Sequence, residues 1–270
     1  MTRETSPMTR PSRRGSTPAV VAVLAVAGAA FVILPLLGLV VRAPWSDAWS
    51  LLTTESAITA LRLSLVVSLL AALISVLLGA PLGWILARAR FPGRSVLRAV
   101  VILPLVLPPV VAGIGLLAAL GRRGLVGRLL YEAGIQLTFS TAGAVVAAAF
   151  VSMPLVILAV EVGLRSIDER YEDAAATLGA SPGFRMRHIV LPLLRPQLVA
   201  GAVLAWARAL GEFGATITFA GNLQGRTQTL PLAVFEARQT DPGGAIVISL
   251  LLVAVSVGVL VALRDRWLAR

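Results

Sequence analysis

The feature that most constrains this chain is a series of long apolar runs that hold few or no charged residues. Each run reaches about 19 residues or more, the length that a helix needs to cross a hydrocarbon core of ~30 Å. The six runs cover residues 19–41, 63–87, 96–120, 140–160, 198–220 and 245–263. The chain is 57% apolar and 14% charged, and its mean hydropathy is +0.89. We therefore predict an all-α membrane protein with six transmembrane helices.

The first run has two interpretations, because several arginines precede it. A signal peptide would have an apolar core of only ~7–15 residues, which is shorter than this run. We therefore expect a transmembrane helix at residues 19–41. Residues 1–18 are rich in Arg, Ser, Thr and Pro, and we expect a disordered cytoplasmic segment there. Residues 57–268 are predicted to form the main transmembrane domain.

The arginines predict how the spans are oriented. All 24 basic residues are Arg, and successive loops between spans lie on alternate faces of the membrane. Sixteen arginines are assigned to the face that holds both termini and the loop at 165–196, and six to the other face; Arg62, at the edge of a span, and Arg208, within a span, are not counted. By the positive-inside rule, both termini and this loop are cytoplasmic. The same rule accounts for the net charge of +11 without a nucleic-acid partner.

The charged loop at 165–196 carries signals for two short helices. Ser166 and Glu169 predict a capping box, and Gly179 is placed to end the first helix in a left-handed conformation. The dipeptide 181–182, Ser-Pro, predicts the start of a second helix that ends near Leu191, where prolines lead the chain into the fifth span. We expect two short helices joined at a fixed bend. Such a rigid object can transmit a partner's movement to the spans.

The same loop carries a motif with fixed spacing. Its residues are Asp173, Ala174, Ala175, Gly179, Ile189, Leu191 and Pro192. The pattern resembles the EAA loop of ABC importer permeases, which take up a solute by using the ATP of another subunit. Asp173 stands where that family more often has Glu. The resemblance implies that these residues couple the chain to an ATPase. A loop lying on lipid headgroups is the alternative, but the cluster of acidic residues at 168–173 argues against it, since anionic lipid would repel that face.

Four other blocks, at residues 87–94, 103–115, 208–216 and 229–232, resemble the permease subunit of molybdate ABC transporters. The resemblance covers about residues 60–268, and sulfate permeases share the block at 208–212. It implies a type I importer-like fold and a homodimer in the bacterial plasma membrane. The implied partners are two cytoplasmic ABC ATPase subunits and an extracytoplasmic oxyanion-binding protein. The chain itself would bind no cofactor, because ATP and Mg²⁺ would bind to the partner ATPase.

The fifth run contains two charges, Arg208 and Glu212, which lie four residues apart and therefore on one face of a helix. A lone charge at mid-membrane costs about 2.5–3.5 kcal/mol on insertion scales, so we expect the two to pair. The pair either lines a translocation path or is structural. The same two alternatives apply to the small and hydroxyl residues nearby, which are Gly211, Gly214, Thr216 and Thr218.

Prolines 104, 108 and 109 predict a break in the third span, because each removes a backbone donor. The break could belong to a gate helix or be a static kink. Pro104, Pro108 and Pro109 do not distinguish these alternatives.

Several chemistries are excluded by residues that are missing from the sequence. With no Cys and one His, His188, the chain cannot form Cys-ligated or multi-histidine metal sites by itself. With no Lys, it cannot carry the P-loop of an ATPase. We expect a molybdate permease that is not an enzyme. The alternatives are a permease for sulfate, thiosulfate or tungstate, an intramembrane enzyme, or a stand-alone secondary transporter or channel that would use Glu161 or Glu212 for ion coupling.

Overall fold

A computed structural model describes residues 19–268, so the expected disordered segment at 1–18 lies outside the described residues. The chain divides into two compact units, residues 1–43 and residues 44–270. The described part of the first unit contains one helix, α1 (Ala19–Arg42), which matches the first apolar run. Its 24 residues are enough to cross a membrane.

The second unit is built from helices and connecting turns, and no strand occurs within the described residues. Its helices are α2 (Ala48–Leu52), α3 (Glu55–Arg88), α4 (Arg94–Ile102), α5 (Pro109–Leu120), α6 (Gly127–Glu132), α7 (Thr141–Ser166), α8 (Arg170–Thr177), α9 (Pro182–Arg185), α10 (Leu191–Leu210), α11 (Gly214–Phe219), α12 (Leu230–Thr240) and α13 (Pro242–Leu268). A 3₁₀ turn (Leu103–Leu105) follows α4, and a π turn (Met186–Val190) joins α9 to α10. The predicted all-α class is confirmed.

Five helices are long and apolar enough to cross a membrane. They are α1, α3, α7, the continuous stretch Pro182–Leu210, and α13. A sixth crossing is possible only if α4 and α5 count together, because the helix axis bends by 116° between them. The described residues therefore contain five or six membrane spans by length and composition.

The third predicted span, at 96–120, is not a straight helix. The chain leaves the helical path after Leu105 and resumes it at Pro109. Pro108 has an extended backbone with ψ of 132°, the conformation that a following proline favours. The sequence therefore predicted the position of the break, while the bend is much larger than a kink.

The fifth predicted span, at 198–220, is also wrong as a single helix. Helix α10 ends at Leu210, and the separate short helix α11 begins at Gly214. Glycine at 211 and 214 weakens the helix at this position, and hydrophobicity alone does not reveal such an interruption.

Helix α7 is the centre of the second unit. On one side it packs against α3 and α10 through small residues such as Ala71, Ala144 and Ala209. On another side it packs against α5 and α11, where Val151 and Phe219 are buried. Alanine at these contacts lets the helix backbones approach closely, as is usual in membrane bundles.

Polar side chains also join the helices inside the bundle. Ser75 on α3 and Ser152 on α7 share a buried hydrogen bond of 3.1 Å. The indole N–H of Trp206 on α10 donates to the hydroxyl of Ser68 on α3 at 2.8 Å. Within a bilayer each such bond contributes about 0.6 kcal/mol on average, so these bonds fix the register of the helices more than they add stability.

Candidate functional site

The charged loop that follows α7 begins with an arrangement different from the predicted capping box. Ser166 is the last residue of α7, and its hydroxyl donates to the carbonyl of Gly163 at 2.7 Å. Helix α8 begins at Arg170, whose amide donates to the carboxylate of Asp168 at 3.0 Å. The capping box of Ser166 and Glu169 is therefore wrong. Ser166 lies too early in the chain to cap α8, and Asp168 satisfies the free amide instead.

Helix α8 ends as the sequence predicted. Gly179 has φ of +83°, the left-handed conformation that glycine adopts without steric cost. The amide of Gly179 donates to the carbonyl of Ala176 at 2.9 Å, and the amide of Ala180 donates to the carbonyl of Ala175 at 3.0 Å. These two bonds form a Schellman motif, which fixes the direction in which the chain leaves the helix.

The next helix begins as predicted but does not end where predicted. The hydroxyl of Ser181 accepts from the amide of Phe184 at 3.3 Å, and Pro182 occupies the first helical position. The expected end near Leu191 is wrong, because α9, the π turn and α10 form one helix of 29 residues. The amide of Leu191 donates to the carbonyl of Met186, five residues back. We attribute the continuity to this wider turn, which accommodates Pro192 without ending the helix.

The structure brings the motif residues together on one exposed corner. Asp173, Ala174, Ala175 and Gly179 lie on α8 and its cap, while Ile189, Leu191 and Pro192 lie on the helix that follows. Helix α8 contacts both α9 and the π turn. Of the seven, Ala175 and Ile189 are half-buried and the others are exposed.

Three large apolar side chains on this corner are uncovered in the single chain. Leu178 is 88% exposed, Tyr171 is 60% exposed and Phe184 is 52% exposed. Phe184 also stacks on His188, with ring centroids 4.2 Å apart. Their exposure leaves an apolar surface on this corner of the single chain. Exposed apolar groups within a polar rim are typical of a surface that binds another protein.

The corner is attached to the bundle by an arginine that the sequence analysis did not identify as a site residue. Arg88, the last residue of α3, donates to the carboxylate of Glu172 at 2.7 Å and to that of Glu169 at 3.4 Å. Because α8 has no buried residue of its own, this contact helps to hold it in place. The signal in the sequence was an Arg at a span end together with an acidic cluster. Their contact spans more than 80 residues of chain and could not be predicted from periodicity.

A second candidate site lies where α10 ends. Arg208 and Glu212 form the expected ion pair, although Glu212 lies beyond the helix rather than on its face. The Glu212 carboxylate is 2% exposed, and its other oxygen accepts from the amide of Ala215 at 2.8 Å. Glu212 therefore pairs with Arg208 and also caps the first turn of α11. Gly211 is exposed beside them.

The remaining predicted path residues lie on α11, packed against α5. A Cβ on Gly214 would come within 2.7 Å of the Pro109 side chain, and one on Gly113 would come within 2.6 Å of Thr218. Thr218 donates its hydroxyl to the carbonyl of Gly214 at 2.8 Å. Thr216 is buried. The break after α10 therefore lies against the break before α5, so the two interrupted runs meet at their interruptions.

Comparison with curated proteins identifies close relatives. The chain is 49% identical over 244 residues to the molybdenum transport system permease protein ModB of Mycobacterium tuberculosis, covering 90% of this chain and 92% of the relative. It is 44% identical over 221 residues to ModB of Escherichia coli, covering 82% of this chain and 96% of the relative. It is 36% identical over 227 residues to the sulfate transport system permease protein CysT of Salmonella typhimurium, covering 82% of each.

Solved structures support the same fold. A bacterial ABC transporter involved in the import of alginate matches with a TM-score of 0.71 at 17% identity, over 92% of this chain and 93% of that chain. The MetNI methionine ABC transporter in an inward-facing conformation matches with a TM-score of 0.62 at 18% identity, over 80% of this chain and 99% of that chain. Residues 79–270 match the sequence profile described as binding-protein-dependent transport system inner membrane component. The chain therefore belongs to the family of inner-membrane components of binding-protein-dependent transport systems.

Proposed function

We propose that this chain is the permease subunit of an ATP-driven molybdate importer, and that it moves the oxyanion inward by alternating access. The observation that carries the proposal is the exposed corner at α8 and Gly179, which presents the complete motif in one rigid arrangement. Relatives that cover nine-tenths of the chain and are named for molybdenum transport support the choice of solute. The chain is a transport subunit rather than an enzyme.

The proposed assembly contains two copies of this chain, two ATPase subunits and a binding protein. The uncovered side chains of Tyr171, Leu178 and Phe184 fit an ATPase surface that binds the corner. ATP and Mg²⁺ are assigned to that partner. The alginate importer, solved in complex with a periplasmic protein, supports the kind of partner expected on the opposite face.

The geometry of the corner explains how a partner's movement would reach the membrane. Helix α8 is capped at both ends and paired with Arg88, so it moves as one body with the end of α3. The Schellman motif passes directly into the helix that becomes α10. A displacement of the corner is therefore transferred to a membrane span with no flexible linker between them.

The proposed translocation path runs past the broken end of α10. Arg208, Gly211 and Glu212 lie at the break. The other residues of the proposed path lie on α11, which packs against α5; they are Gly214, Thr216 and Thr218. Glu212 offsets the charge of Arg208, which would otherwise hold a dianion too strongly for release.

The proposed orientation can be measured by thiol labelling. We expect Gly183→Cys to be labelled only from the cytoplasm and Gln224→Cys only from outside, because the Arg distribution predicts that these loops lie on opposite faces. The chain has no native Cys, and a side chain at Gly183 meets no atom within 4 Å. An impermeant maleimide is applied to intact cells that express the permease alone, and then to permeabilised cells. Labelling of both positions in intact cells would overturn the orientation.

The solute is tested with the whole complex in proteoliposomes. We expect ATP-dependent uptake of molybdate that persists in a large excess of sulfate. Sulfate is the second candidate, supported by the CysT relative at 36% identity. Uptake of sulfate that molybdate fails to reduce would assign the complex to sulfate instead. Accumulation of either anion without ATP or the ATPase would contradict the proposed mechanism.

A further inference from the structure

A buried carboxylate in α7 connects two parts of the chain that the motif does not connect. Glu161 is 1% exposed and lies just over one turn before the end of α7. One carboxylate oxygen accepts from Arg98 Nε on α4 at 3.1 Å. The other accepts from Arg165 Nη2 in the last turn of α7 at 2.5 Å. We refer to Arg98, Glu161 and Arg165 as the inner charge triad.

The first arm of the triad holds an element that has little other attachment. None of the nine residues of α4, all of them within the described part of the chain, is buried. Val96 and Val100 on this helix are 65% and 57% exposed. The ion pair from Arg98 therefore ties a helix that has no fully buried residue to a carboxylate inside the bundle.

The second arm of the triad, Arg165, lies close in sequence to the exposed corner that carries the motif. Arg165 is followed within five residues by Arg170, the first residue of α8. The connection contains Asp168, which caps α8, and Glu169, which pairs with Arg88. The end of α7 and the corner are thus joined by short, hydrogen-bonded backbone.

Helix α4 is connected, through the bend, to the contact between α5 and α11. After the 116° bend, α5 packs against α11, with Gly113 facing Thr218 and Pro109 facing Gly214. Helix α11 begins at Gly214, and Glu212 accepts from the amide of Ala215 in its first turn. A continuous series of contacts therefore runs from the corner through Glu161 and Arg98 to the break that holds Arg208 and Glu212.

We propose that the inner charge triad makes α4 and α5 move together with the exposed corner formed by α8, Gly179 and the start of the helix that follows. Arg98 and Glu161 are then positioning residues that act on the path through α4 and α5. This proposal rests on the proposed function, because it assumes that an ATPase moves the corner. The two arginines are about half exposed, so either can turn about the fixed carboxylate while remaining paired.

The triad allows the link to be cut without leaving a buried charge unpaired. In Arg98→Gln, Glu161 keeps its bond to Arg165, so the carboxylate remains neutralised and the bundle should assemble. Arg94→Gln is the matched control. Arg94 lies four residues earlier on the same helix and forms no ion pair with any residue whose side chain the structure describes.

The experiment uses the complete complex in proteoliposomes and measures anion uptake, ATP hydrolysis and amide hydrogen exchange. We expect Arg98→Gln to lower the ratio of anion transported to ATP hydrolysed by about tenfold, while hydrolysis stays near the wild-type rate. ATP should change exchange at residues 94–105 in the wild type but not in Arg98→Gln, and should change exchange at 167–180 in both. Arg98→Lys should give a higher ratio of anion transported to ATP hydrolysed than Arg98→Gln, since it keeps the charge.

Three outcomes would overturn the proposal. They are an unchanged transport ratio in Arg98→Gln, an unchanged ATP response at 94–105 in that variant, and an equal loss in Arg94→Gln. The exchange measurement does not depend on which anion is carried. Failure of the wild-type complex to take up molybdate would therefore count against the proposed function, while the response of α4 to ATP would still test the triad.

Discussion

Gly179→Val is expected to reduce transport by about tenfold or more while the chain still inserts in the membrane. A β-branched residue in the left-handed conformation costs about 1–2 kcal/mol, and it also weakens the Schellman motif that directs the next helix. The fraction of chains whose corner has the conformation that binds the ATPase falls accordingly. The apparent affinity for the ATPase falls with it. Measuring uptake and ATPase binding together tests this expectation.

Two control variants separate the backbone effect from the effect of added bulk. No atom lies within 4 Å of a Cβ built on Gly179 or on Gly183, so neither position is crowded. Gly183 has ordinary helical geometry, and Gly183→Val should therefore transport normally. Gly179→Asn should retain more activity than Gly179→Val, because Asn tolerates the left-handed region. Equal transport by Gly179→Val and Gly183→Val would show that the cap has no role in coupling.

Glu212→Gln is expected to slow turnover by about tenfold or more and to affect assembly less. Gln keeps an oxygen that can accept from the amide of Ala215, so α11 retains its cap. The charge is lost, and Arg208 then lies uncompensated at the break. Breaking a buried pair costs about 3–5 kcal/mol, and we expect the lower end or less, because Arg208 is one-third exposed. Oxyanion uptake, normalised to the amount of assembled complex, measures the effect.

The same chain contains an exposed pair with identical spacing that serves as a control. Arg128 and Glu132 also lie four residues apart, and their side chains are 78% and 57% exposed. Glu132→Gln should change uptake little, since exposed helical pairs contribute about 0.3–0.5 kcal/mol. The double variant Arg208→Gln/Glu212→Gln should recover part of the loss, because it removes both charges. A double variant no better than Glu212→Gln would mean that the two residues do not compensate each other.

Two local features of the loop were predicted correctly, while the capping box of Ser166 and Glu169 and the helix end near Leu191 were wrong. The cap at Gly179 and the start at Ser181 depend on backbone geometry within a few residues, and both are present. The helix end near Leu191 was wrong because a proline was treated as a terminator. The free-energy cost of a proline inside this helix is reduced by the π turn. A single sequence does not reveal that turn.

Long-range charge pairs were the larger omission. Arg98 and Glu161 are separated by 63 residues, and Arg88 and Glu172 by 84. These pairs could not be predicted from the sequence, because periodicity carries no information about which span ends meet. Only the folded arrangement of the helices brings these partners together. The pair of Arg208 and Glu212 was predictable because its spacing is local.

The continuity of the helix from Pro182 to Leu210 has a mechanical consequence. A rod of 29 residues is about 43 Å long at 1.5 Å per residue, and it carries the coupling corner at one end and Arg208 at the other. If it pivots near its middle, a tilt of about 10° displaces each end by roughly 4 Å, in opposite directions. The rod then acts as a lever, so a push from the cytoplasm would swing the charged break the opposite way.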